Sequence, residues 1–189
     1  MKTLVLVDMQ NDFITGKLGS KEAQAILPKV IDFVKSFNGD IRYTKDTHSK
    51  HEKPSIEIQH FGEHCMDDTV GQLIPQELEV ELAKKGAEEY LKNSFMPNDD
   101  YADVSLWEDI LDAEKYEGVH YQNNDVYVIG LCTDLCVLNT ALYLRNNLQY
   151  DNIIVIEDLC AGTTPENHQK ALDIMKINLI DIKTTEDVK

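Results

Sequence analysis

A cysteine near the start of a predicted helix is well placed for nucleophilic chemistry. The run GLCTDLCVLNTALYL, which begins at Gly130, passes from a short apolar strand into a helical pattern within a few residues. Cys136 therefore falls in the first helical turn, where free backbone N–H groups and the helix dipole favour a thiolate and lower the pKa of a thiol. The N–H groups of Cys132 and Cys136 are candidates for an oxyanion site. A small buried thiol that packs the helix against the sheet is the alternative interpretation.

Carboxylate and imidazole side chains follow other predicted strands. Asp8 closes the first strand, and Asp46 and His48 follow the second, with Glu57 and His64 further along the chain. A carboxylate near a thiol can accept its proton during nucleophilic attack. Aspartate, glutamate and histidine are also competent ligands for a divalent metal. The alternative is that Asp8 is a solvated residue at a strand end and that the others belong to a solvated polar loop.

Short apolar runs alternate with segments of helical period along the chain. The predicted strands are Thr3–Val7, Ile41–Thr44, Val126–Ile129, Ile153–Ile156 and Leu179–Ile182. The predicted helices are Lys21–Phe37, Gln76–Lys85, Leu106–Glu114, Asp134–Leu148 and Pro165–Lys176, the last with Thr164 as its N-cap. Between residues 50 and 87 no clear period appears outside the helix at 76–85, so we expect mostly loop there. This alternation predicts a three-layer α/β/α sandwich with a mainly parallel central sheet, whose strand ends form a ligand crevice.

Length and charge limit the classes of function. The chain has 189 residues, of which 42% are hydrophobic, and no linker composition, so we expect a single domain over residues 1–189. The formal net charge of −16, without a basic stripe, argues against nucleic acid and anionic membranes as partners. The first apolar run is too short for a signal peptide or a membrane span. The four cysteines form no CxxC pair, which favours reduced thiols and a cytoplasmic protein.

Two motifs carry a resemblance to a known family. The segment VDMQNDF at 7–13 and the segment GLCTDLCVLNTA at 130–141 resemble the isochorismatase-like cysteine hydrolase superfamily, and the resemblance spans nearly the whole chain. The resemblance implies a catalytic triad of an aspartate after the first strand, a mid-chain lysine and a cysteine at a helix start. In this sequence those positions are Asp8, Lys92 and Cys136.

The lysine position is the least specific of the three. Lys92 lies within YLKNSF, and the following Ser94 and Phe95 resemble the pattern of the family, although the spacing is compressed relative to many members. Lys84 or Lys85 could be confused with it, and an ordinary exposed lysine is the alternative for Lys92. Its implied role is to stabilise the thiolate and developing negative charge.

Resemblance to the nicotinamidase branch of this superfamily implies a divalent metal, with zinc favoured over manganese or iron. The implied ligands are Asp46, His48, Glu57 and His64, in which the glutamate precedes the last histidine by the seven positions that some members use. His51 and His60 are neighbours that replace a ligand if the loop alignment is shifted. In the family, this metal separates nicotinamidases from relatives that bind their substrates without one.

The same resemblance implies hydrolysis of nicotinamide to nicotinate and ammonia through a thioester on the cysteine. Phe13 and Trp107 are candidates for stacking on the flat ring, with core packing as the alternative. The resemblance also implies a cis peptide before Cys132 and a small amide as the binding partner. From its position, Asp134 is expected to cap and orient the helix start rather than to react, and His168 is expected on a helix surface rather than in the site. Rival functions are hydrolysis of another small amide or carbamoyl compound, and a non-catalytic metal or redox sensor. Dimers or tetramers are common in the family, and the sequence carries no interface signature.

Overall fold

The computed structural model describes residues 2–51, 53–96, 125–147 and 150–188, and we name its elements in chain order. Its strands are β1 Lys2–Val7, β2 Asp40–Asp46, β3 Glu88–Lys92, β4 Asp125–Leu131, β5 Asn152–Ala161 and β6 Asp181–Lys183. Its α-helices are α1 Asn11–Ile14, α2 Lys21–Ser36, α3 Ile56–Phe61, α4 Gln76–Lys85, α5 Leu138–Asn146 and α6 Pro165–Ile177. A 3-10 turn at Val70–Gln72 and a π-helical turn at Thr133–Val137 lie between them.

These strands form one parallel sheet. Within the described ranges its order is β3-β2-β1-β4-β5-β6, and every neighbouring pair is parallel. The central strands are apolar because both faces are covered: four successive residues of β1, from Leu4 to Val7, are fully buried. The predicted α/β fold with a mainly parallel central sheet is confirmed.

The helices pack in two groups. Helix α2 contacts α4, and α5 contacts α6. The connections that lead to β2 and β3 move toward one edge of the sheet, and those that lead to β5 and β6 move toward the other edge. Because such connections are right-handed, the helices of the first pair of connections lie on one face of the sheet and those of the second pair lie on the opposite face. Ser20 and Thr164 cap α2 and α6 by accepting hydrogen bonds from the N–H groups of Ala23 and Asn167. Among the described residues, none of these helices combines the length and apolarity that crossing a membrane requires.

Several elements of the structure differ from the sequence predictions. Strand β3, Glu88–Lys92, was not predicted because it is a short edge strand with a polar sequence and gives no apolar run. Helix α3, Ile56–Phe61, replaces part of the expected loop, since six residues are too few to show a period. The last strand begins at Asp181 rather than at Leu179, whose φ of 61° places it in a turn. The predicted helix at 106–114 lies outside the described residues, and the single-domain organisation stays a prediction.

After β1, the chain adds β2 and β3 on one side of this strand and then β4, β5 and β6 on its other side. The two halves of the sheet meet where β1 pairs with β4. Such a switch point opens a crevice at the carboxyl ends of the two strands. Gly130 of β4 lies opposite Val7 of β1 and has a φ of +123°. A Cβ atom at Gly130 would overlap the backbone carbonyl oxygen of Val7. Glycine therefore permits the close approach of the two strands that lead into the crevice.

Replacing this glycine tests the close approach. We expect Gly130→Ala to lower the free energy of unfolding by at least about 3 kcal/mol, because it adds a backbone clash to the strain of positive φ. Gly86→Ala is the matched control, since Gly86 also has a positive φ of 65° but open space around it. The control should lose only about 1 kcal/mol. Urea unfolding measures both, and equal losses would contradict the role assigned to the strand contact.

Candidate active site and metal centre

The structure brings Asp8, Lys92 and Cys136 together at the switch point. Asp8 follows β1, Lys92 ends β3, and Cys136 lies in the π-helical turn after β4. The Lys92 Nζ atom is 2.7 Å from Asp8 Oδ2 and 3.5 Å from Cys136 Sγ. All three side chains are buried. The arrangement places a carboxylate, an ammonium and a thiol within reach of one another.

A fully buried lysine needs several partners to offset the loss of hydration. Besides Asp8, Lys92 Nζ donates to the Ser94 carbonyl oxygen at 2.9 Å and lies 3.8 Å from Asp46 Oδ1. Burial lowers the pKa of Lys92, but the charges of Asp8, Cys136 and Asp46 raise it well above its usual value. Thr44 Oγ1 donates to the other Asp8 oxygen, Oδ1, at 2.7 Å and fixes that carboxylate. The ammonium is therefore a permanent positive charge beside the thiol.

The alternative lysines lie elsewhere. Lys84 forms an exposed ion pair with Glu81 on α4, and Lys85 donates to the carbonyl oxygen of Phe37. Among these three lysines, Lys92 alone forms an ion pair with Asp8, and its catalytic role stays a prediction.

The proton of the Cys136 thiol is held more tightly than the sequence suggests. Burial raises the pKa of Cys136 well above its usual value, and the charges of Asp8 and Asp46 and a hydrogen bond with Asp8 add to the increase. Lys92 opposes this shift without reversing it. The expectation that the helix start leaves a lowered pKa is therefore wrong for the free protein. Cys136 is a thiol that needs a base to activate it.

A second cluster of Asp46, His48, Glu57 and His64 lies beside the first. One ligand atom from each of the four buried residues can be chosen so that all lie within 4.8 Å of one another. Asp46 Oδ2 is 2.9 Å from His48 Nε2 and 3.3 Å from His64 Nε2, and Glu57 Oε1 is 3.7 Å from His64 Nε2. His51 and His60, the alternative ligands, are exposed. The donor set is one that zinc and other divalent metals favour.

The electrostatics of this cluster also fit a cation. Burial lowers the pKa of His64, but hydrogen bonds with Asp46, Glu57 and the Gly62 carbonyl raise it to about 10. Burial raises the pKa of Asp46, but Lys92, His48 and His64 bring it well below the usual range. Within the described part of the chain, Asp46 Oδ1 is buried without a hydrogen-bond partner. Because His64 Nδ1 donates to the Gly62 carbonyl oxygen at 2.8 Å, Nε2 is left to face a metal.

Members of both clusters line one cavity of about 260 Å³. They are Cys136 of the first cluster, beside Cys132, and Glu57 and His64 of the second. Its walls are mainly apolar, and they include Phe13, Leu18, Phe61, Phe95, Leu131 and Leu135. The ring centroid of Phe13 is 5.6 Å from that of His64, so the predicted stacking residue is at the cavity. Trp107, the other predicted stacking residue, lies outside the described residues.

The turn that carries the cysteine is tied to the start of α6. The Leu131–Cys132 peptide bond is cis, as the resemblance implies. Asp134 orients the turn by accepting hydrogen bonds from the N–H and hydroxyl groups of Thr163, at 2.7 and 2.5 Å. His168 is half-buried, and its Nδ1 lies 2.8 Å from the hydroxyl of the fully buried Thr133. His168 thus lies on α6 and is not among the described residues that line the cavity, and helical spacing alone did not reveal its contact with Thr133.

Comparison with known proteins identifies the family. A model of the isochorismatase domain matches residues 2–187. The chain belongs to the isochorismatase family. Among characterised members, it is 25% identical to the nicotinamidase of Schizosaccharomyces pombe, in an alignment that covers 97% of this chain and 93% of that protein. This relationship covers both clusters and the cavity between them.

Solved structures of the isochorismatase family have the same fold. The pyrazinamidase/nicotinamidase of Streptococcus mutans superposes with a TM-score of 0.80 at 26% identity, over 96% of this chain and 99% of that one. The pyrazinamidase of Pyrococcus horikoshii, solved in complex with zinc, gives a TM-score of 0.73 at 24% identity, over 97% and 98% of the two chains. The fold is thus shared along almost the entire length.

The charges of Asp8 and Lys92 shift the pKa of Cys136 in opposite directions, which predicts how removal of each changes the reactivity of the thiol. Iodoacetamide reacts with the thiolate, so the rate of alkylation is proportional to the thiolate fraction. At a pH below the pKa, this fraction rises tenfold for each unit by which the pKa falls. We expect Asp8→Asn to speed alkylation of Cys136 at pH 7.5 by about tenfold, because a negative neighbour is lost. Lys92→Met should slow it by a similar factor. Peptide mass spectrometry during the reaction measures each site separately.

Cys160 is the internal control for this measurement. Burial raises its pKa to about 12, and neither Asp8 nor Lys92 contributes to that shift. Its alkylation should be equally slow in all three proteins. A parallel change at Cys160 and Cys136 would indicate loosening of the fold and would contradict the electrostatic explanation.

Proposed function

We propose that the protein is a metal-assisted cysteine amidohydrolase that hydrolyses nicotinamide to nicotinate and ammonia. One observation carries the proposal: Cys136, which is in contact with Lys92 of its cluster, and Glu57 and His64 of the four-ligand cluster line a single cavity with mainly apolar walls. A nucleophile with a buried base behind it, beside a cation site, at one small cavity suits a flat, neutral amide.

The relatives support this substrate. The matched proteins of Schizosaccharomyces pombe and Saccharomyces cerevisiae are both nicotinamidases, at 25% and 27% identity. The alignments cover 97% and 96% of this chain. Similarity over this length makes nicotinamide the first substrate to test.

In the first half of the reaction, Asp8 accepts the proton of the Cys136 thiol as the sulfur attacks the amide carbonyl carbon. A C–S bond forms, and the carbonyl oxygen becomes an oxyanion. The N–H groups of Cys132 and Cys136 donate to this oxygen, and the ammonium of Lys92 stabilises the negative charge. Asp8 then gives the proton to the amide nitrogen, the C–N bond breaks, and ammonia leaves a thioester on Cys136.

In the second half, water hydrolyses the thioester. Asp8 accepts a proton from the water as its oxygen attacks the thioester carbonyl carbon. The C–S bond breaks, the Cys136 sulfur takes the proton from Asp8, and the nicotinic acid that leaves ionises to nicotinate by giving its proton to ammonia or water. Each turnover therefore consumes one amide and one water and returns Asp8 and Cys136 to their starting states.

Asp46, His48, Glu57 and His64 would hold the metal, with zinc proposed first and manganese or iron as alternatives. When bound, the cation acts as a Lewis acid that can fix the ring nitrogen of the substrate and so orient its amide. Phe13 offers one aromatic face to the ring, and we assign a similar role to Trp107. A thiol nucleophile suits a reducing compartment, so we propose a cytoplasmic enzyme that acts on a small amide without a nucleic acid or membrane partner.

Ammonia release from nicotinamide by the purified, zinc-loaded protein tests this function. We expect steady release that falls by at least about a thousandfold in Cys136→Ala, since the nucleophile is lost. Asp8→Asn should lose activity to a similar degree even though its Cys136 is more reactive toward iodoacetamide. Chelator treatment should abolish release, and added zinc should restore it.

Two outcomes would contradict the proposal. No ammonia release from nicotinamide by fully metal-loaded protein would discard this substrate and direct the search to other small amides or carbamoyl compounds. Undiminished release in Cys136→Ala would exclude the thioester route. Lys170→Ala, on the exposed face of α6, is the matched control and should retain full activity.

A further inference from the structure

Asp46 links the two clusters, because it is one of the four candidate ligands and also lies next to Lys92. Its Oδ2 atom faces the imidazoles of His48 and His64, whereas its Oδ1 atom lies 3.8 Å from the Lys92 ammonium. A displacement of this one carboxylate would therefore change the cation site and the surroundings of the nucleophile together. The groups that fix the main chain of Asp46 are consequently important for both.

Gln10 fixes that main chain from the neighbouring strand end. Its Oε1 atom accepts a hydrogen bond from the Asp46 N–H group, and its Nε2 atom donates to the Asp46 carbonyl oxygen, each at 2.8 Å. Nε2 also donates to the carbonyl oxygen of Gln72 at 2.8 Å. The side chain is fully buried. Both amide protons and the amide oxygen of Gln10 are thus used to hold backbone groups.

We propose that Gln10 is a positioning residue that sets the affinity of the protein for its divalent cation. In the part of the chain that the structure describes, its side-chain hydrogen bonds go to the backbone of Asp46 and Gln72 and to none of the four ligand side chains. It acts through the backbone of Asp46, whose carboxylate must face His48 and His64 for the cluster to form. The inference rests on the metal site of the proposed function and does not depend on which amide is hydrolysed.

The chemistry of the amide explains why a glutamine is required. A side chain without hydrogen-bonding groups would remove the partner of the buried Asp46 N–H group and one donor from each of two carbonyl oxygens, which is costly. A glutamate would retain an acceptor for the Asp46 N–H group but would direct a carboxylate oxygen at two carbonyl oxygens. Either change should shift the end of β2 and misplace the Asp46 carboxylate. Supporting groups of this kind typically alter metal affinity by about tenfold to a hundredfold.

The test measures zinc affinity directly, by competition with a chromophoric chelator, in Gln10→Met and Gln10→Glu. Gln10→Met keeps the volume and removes all three hydrogen bonds, and Gln10→Glu removes the two that Nε2 donates. We expect both variants to bind zinc about tenfold to a hundredfold more weakly than the unmodified protein. Cobalt substitution provides a second measurement, because the visible bands of bound cobalt should change with the position of Asp46.

Asn11→Ala is the matched control. Asn11 adjoins Gln10, and its side chain donates to the carbonyl oxygen of Val70 in the same 3-10 turn that Gln72 ends. This variant should retain the zinc affinity and the cobalt spectrum of the unmodified protein. Circular dichroism of the metal-free proteins establishes that every variant compared is folded.

Several results would overturn the inference. Zinc affinity within twofold of the unmodified protein in a folded Gln10→Met or Gln10→Glu variant would show that the amide does not set it. An equal loss in Asn11→Ala would assign the effect to the turn rather than to Gln10. Failure of the unmodified protein to bind zinc, manganese or iron would also refute it. Normal zinc binding without nicotinamide hydrolysis would refute the proposed function alone.

Discussion

The buried ammonium of Lys92 is the charge on which the arrangement of the site depends. It is the positive group between Asp8, Asp46 and the Cys136 thiol, and it lies at the end of β3 rather than on a flexible loop. Without it, the two buried carboxylates of Asp8 and Asp46 would lose the cation that lies beside both of them, which is strongly unfavourable. Strand pairing between β2 and β3 sets Asp46 opposite Lys92, so sheet register fixes this contact.

The charges of the two clusters indicate what else the site needs. Asp8, Asp46 and Glu57 are carboxylates, and Lys92 is the positive group among the residues of the two clusters when the imidazoles are neutral. One divalent cation would bring the buried charge close to balance. The same excess of negative charge raises the pKa of His64, because a proton on the imidazole is a positive charge that the neighbouring carboxylates stabilise. The donor chemistry and the charge balance therefore agree on a cation at this place.

Part of the candidate site could be predicted from the sequence because its residues follow strands. In a parallel sheet the carboxyl ends meet at one edge, so Asp8, Asp46 and Cys136 could be grouped without coordinates. Lys92 and Glu57 came from family resemblance, since β3 has no apolar run and α3 is too short to show a period. The pKa of Cys136 could not be foreseen, because it depends on burial and on two carboxylates distant in sequence. Gln10 and His168 act through backbone and hydroxyl contacts that leave no periodic signal.

The protonated state of Cys136 has a consequence for when the nucleophile forms. A raised thiol pKa disfavours the free thiolate by about 1.4 kcal/mol for each unit, so the resting sulfur is a poor target for oxidants. In the proposed reaction, Asp8 takes the proton as the sulfur attacks the amide carbonyl carbon, and the negative charge moves to an oxygen near backbone N–H groups. The cost of forming the thiolate would then be offset only when the substrate provides an electrophile. Under this proposal, burial between Asp8 and Lys92 couples activation of Cys136 to the presence of the amide.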